Sequence, residues 1–186
     1  MRRIIVGISG ASGSAYGLAM LRALNATPDV ETHLVLSQQA PTTIALEMPG
    51  KNAADFEELA DVVHRESNLG ASIASGSFRT DGMVVVPCSI KTASAIAYSF
   101  NDNLLARAAD VCLKERRKLV LVVRETPLHL GHLRTLTQLA EIGAVILPPI
   151  PAMYARPASL DDVINHTVGK VLDQLGVENE LFTRWR

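Results

Sequence analysis

The chain has 186 residues, 48% of them hydrophobic and 20% charged, with a formal net charge of -1, the balance of one globular domain with a substantial core. Acids and bases are interspersed, which excludes the electrostatic footprint that nucleic acid or an anionic membrane surface attracts, so partners are expected among small molecules and other protein chains. Cys88 and Cys112 lie in apolar stretches without a close pair, which argues against a disulfide framework or a zinc site; with no signal-like start and no bilayer-length apolar run, reduced thiols and a cytoplasmic location are expected.

In chain order, β-branched runs alternate with stretches of helical period. Residues 4–9 read as a first strand and 15–24 as a helix. A second strand follows over 31–37, where His33, Val35 and Ser37 alternate with Thr32, Leu34 and Leu36. Helices are predicted over 42–48 and 53–64, then an irregular Ser- and Gly-rich segment over 67–80. Strands over 83–87, 119–123 and 144–147 alternate with helices over 104–113 and 130–142. Pro148-Pro149-Ile150-Pro151 interrupts the pattern before a last helix over 160–175. Ser159 supplies its N-cap, Asp161 and Asp162 the acids of its first turn, and Gly176 its C-cap. Five strands with crossover helices predict an α/β fold: a three-layer Rossmann/flavodoxin-like open parallel sheet with helices on both faces. With only 4% aromatic residues the core must be aliphatic, and an apolar helix face left exposed would be buried between subunits.

Four of the strands end in small or polar groups: Ser9-Gly10-Ala11-Ser12, Ser37, Ser89-Ile90-Lys91-Thr92 and Arg124-Glu125. The carboxyl ends of parallel strands form the crevice where ligands bind, so these groups converge on one site. Gly10-Ala11-Ser12-Gly13 opens a helix and presents backbone N–H groups to an anion, or else serves only as a tight packing turn. Its spacing matches neither the dinucleotide fingerprint nor the nucleoside-triphosphate loop. Ser89-Ile90-Lys91-Thr92 suits a phosphate or a polar ring edge; a capped helix start is the other reading. Cys88 reads as a buried, inert thiol. The basic groups from Arg107 to Lys118 read as a solvated face, Glu47 as an exposed acid, and His129 with His132 as an i, i+3 pair lacking the third ligand that a metal needs.

Taken together, Gly10-Ala11-Ser12-Gly13, Ser37, Val86-Pro87-Cys88-Ser89-Ile90-Lys91-Thr92, the segment 107–117, Arg124-Glu125-Thr126-Pro127 and Tyr154 resemble the UbiX/Pad flavin prenyltransferases. The similarity runs from residue 3 to about 177, which implies a single flavoprotein domain over 1–177 and a tail over 178–186 that carries Trp185. The resemblance implies an enzyme that joins the dimethylallyl group of dimethylallyl monophosphate to N5 and C6 of reduced FMN. The product, prenylated FMN, serves a UbiD-type decarboxylase. It further implies a homododecamer, no metal, and sites at subunit contacts.

Carried over by position, FMN is held by Gly10, Ala11, Ser12, Ser37, Ser89, Ile90, Lys91, Thr92 and Arg124. Arg107, Lys114, Glu125, Tyr154 and Lys170 grip the prenyl phosphate, some from a neighbouring subunit, so the solvated-face reading of Arg107 and Lys114 gives way. Arg107, Lys114 and Lys170 supply charge, and Glu125 and Tyr154 supply protons, as the allylic C–O bond breaks. Ser12 and Glu47 match positions tied to the later ring closure. Three residues depart from the pattern: Val123 stands for a proline of many relatives, Lys170 for an arginine, and Leu69 lies near a tryptophan of some. Lys170 keeps the charge but loses the bidentate fork. Two alternatives are a cysteine decarboxylase of the same superfamily and a noncatalytic flavin-carrying subunit. The first has a catalytic histidine early in the chain and a different stretch in place of Pro87-Cys88-Ser89-Ile90-Lys91-Thr92; the second needs no second phosphate site.

Overall fold

The computed structural model describes residues 1–185; Arg186, the last residue of the expected tail, lies outside the described residues. Six parallel strands form one sheet in the order β3-β2-β1-β4-β5-β6. They are β1 (Arg2–Ile8), β2 (Val30–Leu36), β3 (Val62–Arg65), β4 (Gly82–Cys88), β5 (Lys118–Val123) and β6 (Val145–Ile146). The helices are α1 (Ser14–Asn25), α2 (Ala40–Glu47), α3 (Ala53–Glu57), α4 (Ile90–Ala97), α5 (Leu104–Lys114), α6 (Leu130–Glu141) and α7 (Leu160–Leu175). None of them is long and apolar enough to cross a membrane, among the described residues.

Strand side chains alternate between faces, and each face closes its own aliphatic core. Ile4, Val6, Ile8, Leu34, Val84 and Val120 pack under α1, α2, α3 and α7. Ile5, Val35, Met83, Val85 and Leu121 pack under α4, α5 and α6. The three layers are those the alternation of strands and helices predicts.

Three expectations need correction. Residues 53–64 do not form one helix: α3 starts on an Asn52 capping box and ends after Glu57, and the chain then enters the edge strand β3. Asp61 makes the join, its carboxylate accepting from Thr32 N–H at 2.7 Å while its own N–H donates to Thr32 O at 3.1 Å. The β-branched pair Val62-Val63 then fits a strand and not a helix. The sheet therefore has six strands instead of five. Second, the stretch after β4, to which the spacing assigns no helix, forms α4, capped by the Ser89 side chain, in agreement with the capped-start reading of Ser89. Third, the segment over 144–147 shortens to two paired residues.

Pro87 occupies a central strand because β4 bulges there. Val85 pairs with Leu121 but Cys88 pairs with Val123, so one extra residue is accommodated where no ladder N–H is required.

Candidate functional site

The strand order reverses between β1 and β4: from β1 the chain builds outward through β2 and β3, and from β4 outward through β5 and β6. Helices diverge at this switch point and leave a crevice at the carboxyl ends. Ser9, buried at the end of β1, laces it. Its Oγ donates to Pro87 O at 2.8 Å and accepts from Ser89 N–H at 2.9 Å and from Ala11 N–H at 3.3 Å. The adjacent ends are tied by Ser37 N–H to Ile8 O at 2.8 Å and Arg124 N–H to Cys88 O at 3.0 Å.

Above this edge lies a cavity of about 1270 Å³ whose wall includes Gly10, Ser37, Ser89, Lys91 and Thr92. Five of the nine residues expected to hold FMN are thereby brought to one surface. Ser89 Oγ accepts from Thr92 N–H at 3.2 Å, leaving the other orphan N–H groups of α4 and its positive dipole end beside the Lys91 ammonium for an anion. Ser37 Oγ is buried and has no hydrogen-bond partner among the described residues. A buried hydroxyl without a partner is costly unless a ligand completes it. These donors and the size of the cavity fit a flavin mononucleotide. Of the other four, Ala11 is engaged with Ser9, Ile90 packs against the core, and the Ser12 and Arg124 side chains are exposed at the crevice edge.

The glycine-rich turn has a different occupant from the expected one. Gly13 takes a left-handed φ of 110°, a backbone that favours glycine. A Cβ on Gly10 would lie 2.5 Å from Gln39 Cβ, so only glycine lets the turn meet the start of α2. The N–H groups of the turn then point at a carboxylate of the chain itself. Glu47 accepts from Gly13 N–H at 2.9 Å and from Ser14 N–H at 2.8 Å. Burial pushes this carboxyl up, but hydrogen bonds from Ser12, Ser14 and Gly13 outweigh it and hold it below its ordinary 4.5. Ser12 and Glu47 are thus brought together, and Gly10 is the part of the turn that reaches the cavity.

The five residues expected at the prenyl phosphate do not line the cavity. Arg107 donates to Ala74 O at 3.0 Å and pairs with Asp110 at 3.3 Å. Lys114 ends α5 and pairs with Glu115 near the amino edge of the sheet. Since α5 begins at the carboxyl edge, its 11 residues put Lys114 about 16 Å away. Glu125 follows β5 and accepts from Thr126 N–H at 3.0 Å. Tyr154 and Lys170 share a cluster with the C-terminal segment. Tyr154 lies edge-on to Trp185 with ring centroids 5.1 Å apart and hydrogen-bonds His166 at 3.2 Å, while Lys170 lies 5.9 Å from the Phe182 ring.

Other expectations find plain roles. His129 caps α6, its Nδ1 accepting from Gly131 N–H at 3.0 Å, and the His132 ring lies against it with centroids 3.6 Å apart. Burial pushes the Cys88 thiol up to about 12 and the Cys112 thiol up to about 11, in keeping with the buried, inert thiol expected of Cys88. His64 also lines the cavity and Ser9 organises its floor. The sequence signal for Ser9 was its place at a strand end; His64 had none, because the segment around it reads as helix.

A family model described as Flavoprotein matches residues 1–172. The chain belongs to the flavoprotein family. Within it, the chain is 60% identical to the flavin prenyltransferase UbiX of Escherichia coli K12, with 100% of this chain and 99% of that protein covered. Among solved flavoproteins, a dodecameric FMN-dependent UbiX-like decarboxylase from Escherichia coli O157:H7 superposes with a TM-score of 0.96 at 50% identity, covering 99% of each chain. The structure of AnUbiX (PadA1) in complex with FMN and dimethylallyl pyrophosphate also gives 0.96, at 47% identity, covering 100% of this chain and 97% of that one.

Proposed function

We propose that the protein is a flavin prenyltransferase that joins the dimethylallyl group of dimethylallyl monophosphate to reduced FMN, releases phosphate and yields prenylated FMN for a UbiD-type decarboxylase. The observation that carries this reading is the end-to-end identity of 60% to a flavin prenyltransferase. The switch-point cavity with its unpartnered Ser37 hydroxyl supports it.

Bound FMN supplies an electron-rich ring that reacts at N5 and C6 once reduced. The chain supplies the rest. Ser37, Ser89, Lys91 and Thr92 anchor the nucleotide, with Gly10 to Ser12, Ile90 and Arg124 at its margins. Arg107, Lys114 and Lys170 stabilise the negative charge that grows on the leaving phosphate, and Glu125 and Tyr154 give it protons. Ser12 and Glu47, brought together where Glu47 accepts from the Gly13 and Ser14 N–H groups, take up the proton released on ring closure. Because α5 holds Lys114 far from the cavity of its own chain, Lys114 serves the site of a neighbouring subunit, and the assembly is a homododecamer like the solved relative. Two buried free thiols suit a reducing compartment, and the cytoplasm is the location within this reading.

The test is anaerobic incubation of the purified protein with reduced FMN and dimethylallyl monophosphate, followed by mass analysis of the extracted flavin. A flavin heavier by one dimethylallyl unit is expected. Unmodified FMN would overturn the assignment and leave a flavin carrier.

A further inference from the structure

Beyond the groups already assigned, the cavity wall carries one side chain connected to a buried ionisable chain. His64, on β3, lines the cavity. Its Nε2 lies 2.9 Å from Nδ1 of His33, on the neighbouring strand β2, and His33 is only 2% exposed. The two rings are nearly parallel, at 11°, with centroids 5.2 Å apart; so long a centroid separation beside so short an N···N distance sets the rings end to end, as an N–H···N bond requires. On its far side His33 Nε2 lies 2.7 Å from Glu31 Oε1, which also accepts from Arg3 Nε at 2.9 Å.

The partners determine the proton positions. The Arg3 guanidinium and the His33 bond hold Glu31 ionised, so its oxygen accepts only, and His33 Nε2 carries a hydrogen. When the pair is neutral, His33 Nδ1 is then an acceptor, His64 donates to it through Nε2–H, and Nδ1 of His64 is left as a bare acceptor. One added proton reverses the inner bond: a cationic His33 donates to His64 Nε2, and Nδ1 of His64 becomes a donor.

We infer that His64 contacts the bound flavin nucleotide through Nδ1, accepting from one of its hydroxyl or ring N–H groups, and that His33 and Glu31 act as positioning residues that set the polarity of this contact. The inference rests on placing FMN in the switch-point cavity. Charged groups surround the pair on several sides: Arg3 from β1 with Asp81 on its N–H at 2.7 Å, Glu31 on β2, and Asp61, Arg65 and Glu66 flanking His64 along the β3 segment. Phe78 closes the remaining side of His33, edge-on at 5.3 Å. Burial and the neighbouring His33 hold His64 below its ordinary 6.5.

The experiment is FMN titration by flavin fluorescence from about pH 8.5 to about pH 5.5, with the wild-type protein, His64→Gln and Glu31→Gln. Titration of the FMN phosphate is common to all three. Wild-type affinity is expected to weaken about fivefold to tenfold more than that of His64→Gln as pH falls, the loss of one hydrogen bond. Glu31→Gln is expected to show the same loss with its midpoint displaced to lower pH, because a cation at His33 has lost its carboxylate. Proton NMR of the two imidazoles in the flavin-free protein gives a readout independent of ligand: a coupled titration whose midpoint moves down in Glu31→Gln. Parallel FMN profiles for wild type and His64→Gln, or an unmoved midpoint in Glu31→Gln, overturn the inference while leaving FMN in its cavity. Failure of the wild type to bind FMN at any pH overturns the placement and the inference together.

Discussion

Ser37 shows most directly what a single residue contributes to this site. Its hydroxyl is buried without a partner among the described residues, so the folded chain bears a desolvation cost that a ligand removes. Ser37→Ala is expected to leave the melting temperature unchanged or slightly raised while weakening FMN binding by roughly tenfold, checked by thermal melts beside flavin titration. A parallel loss of stability would mean that the hydroxyl is satisfied within the protein. Glu47 gives the converse case, a group satisfied by the fold. Its folded pKa lies below the ordinary 4.5, so the unfolded chain binds the proton more readily. The stability it lends is present above that ordinary value and lost as pH falls through the folded one. Glu47→Gln is therefore expected to flatten the fall in stability below about pH 4.5, seen in urea midpoints across acidic pH. Ser37 was legible in the sequence because a polar residue ends a β-branched run. The partner of the glycine-rich turn was not: that Glu47 fills the α1 N-terminus depends on how α2 folds back, and no local spacing encodes it.

Among elements, the carboxyl-edge loops were the most legible part of the fold, since a parallel sheet brings every strand end to one rim whatever the strand order. The edge strand β3 was not legible. Val62-Val63-His64-Arg65 continues the apolar spacing of the preceding helix, and only pairing with β2 through Asp61 decides for a strand. The short α4 was obscured likewise, its Ala- and Ser-rich stretch too brief to show a period. The C-terminal segment is held as an element by α7. Arg184 bonds Asp173 through both guanidinium arms at 2.8 Å, and Asn179 Nδ2 donates to the same carboxylate at 3.0 Å. Asp173→Ala is expected to release this segment from Tyr154 and Lys170, lowering the fluorescence anisotropy of Trp185, the single tryptophan of the chain, with a shift in melting temperature of only a few degrees at most. Unaltered anisotropy would show that Phe182, packed on Gly169 and His166, suffices to hold it.

For the whole molecule, the position of Lys114 sets the problem. On the proposed assignment, the phosphate-binding groups stand on opposite edges of one chain's sheet and a complete site requires a second subunit. Lys114→Ala and Glu125→Gln are each expected to bind FMN yet lose prenyl transfer by more than tenfold. Mixed and reassembled, the two variants should regain about a quarter of the wild-type activity, because in that share of sites both intact residues meet. No recovery on mixing, with mixed oligomers shown by mass spectrometry, would place both residues in one subunit's site. The residue pattern alone carries no sign of such sharing, since Arg107 and Lys114 on one amphipathic helix look like any solvated face; only the family resemblance pointed to it.

The two cysteines lend themselves to a use unconnected with catalysis. Cys88 sits in β4 and Cys112 in α5, on the same side of the sheet, each fully buried and poorly ionised. A thiol-labelling reagent therefore reacts only when the layer beneath the cavity breathes open, and the two labelling rates become clocks for that opening. Slower clocks with FMN bound would measure how far the nucleotide rivets the central strand to the helix that carries Lys114.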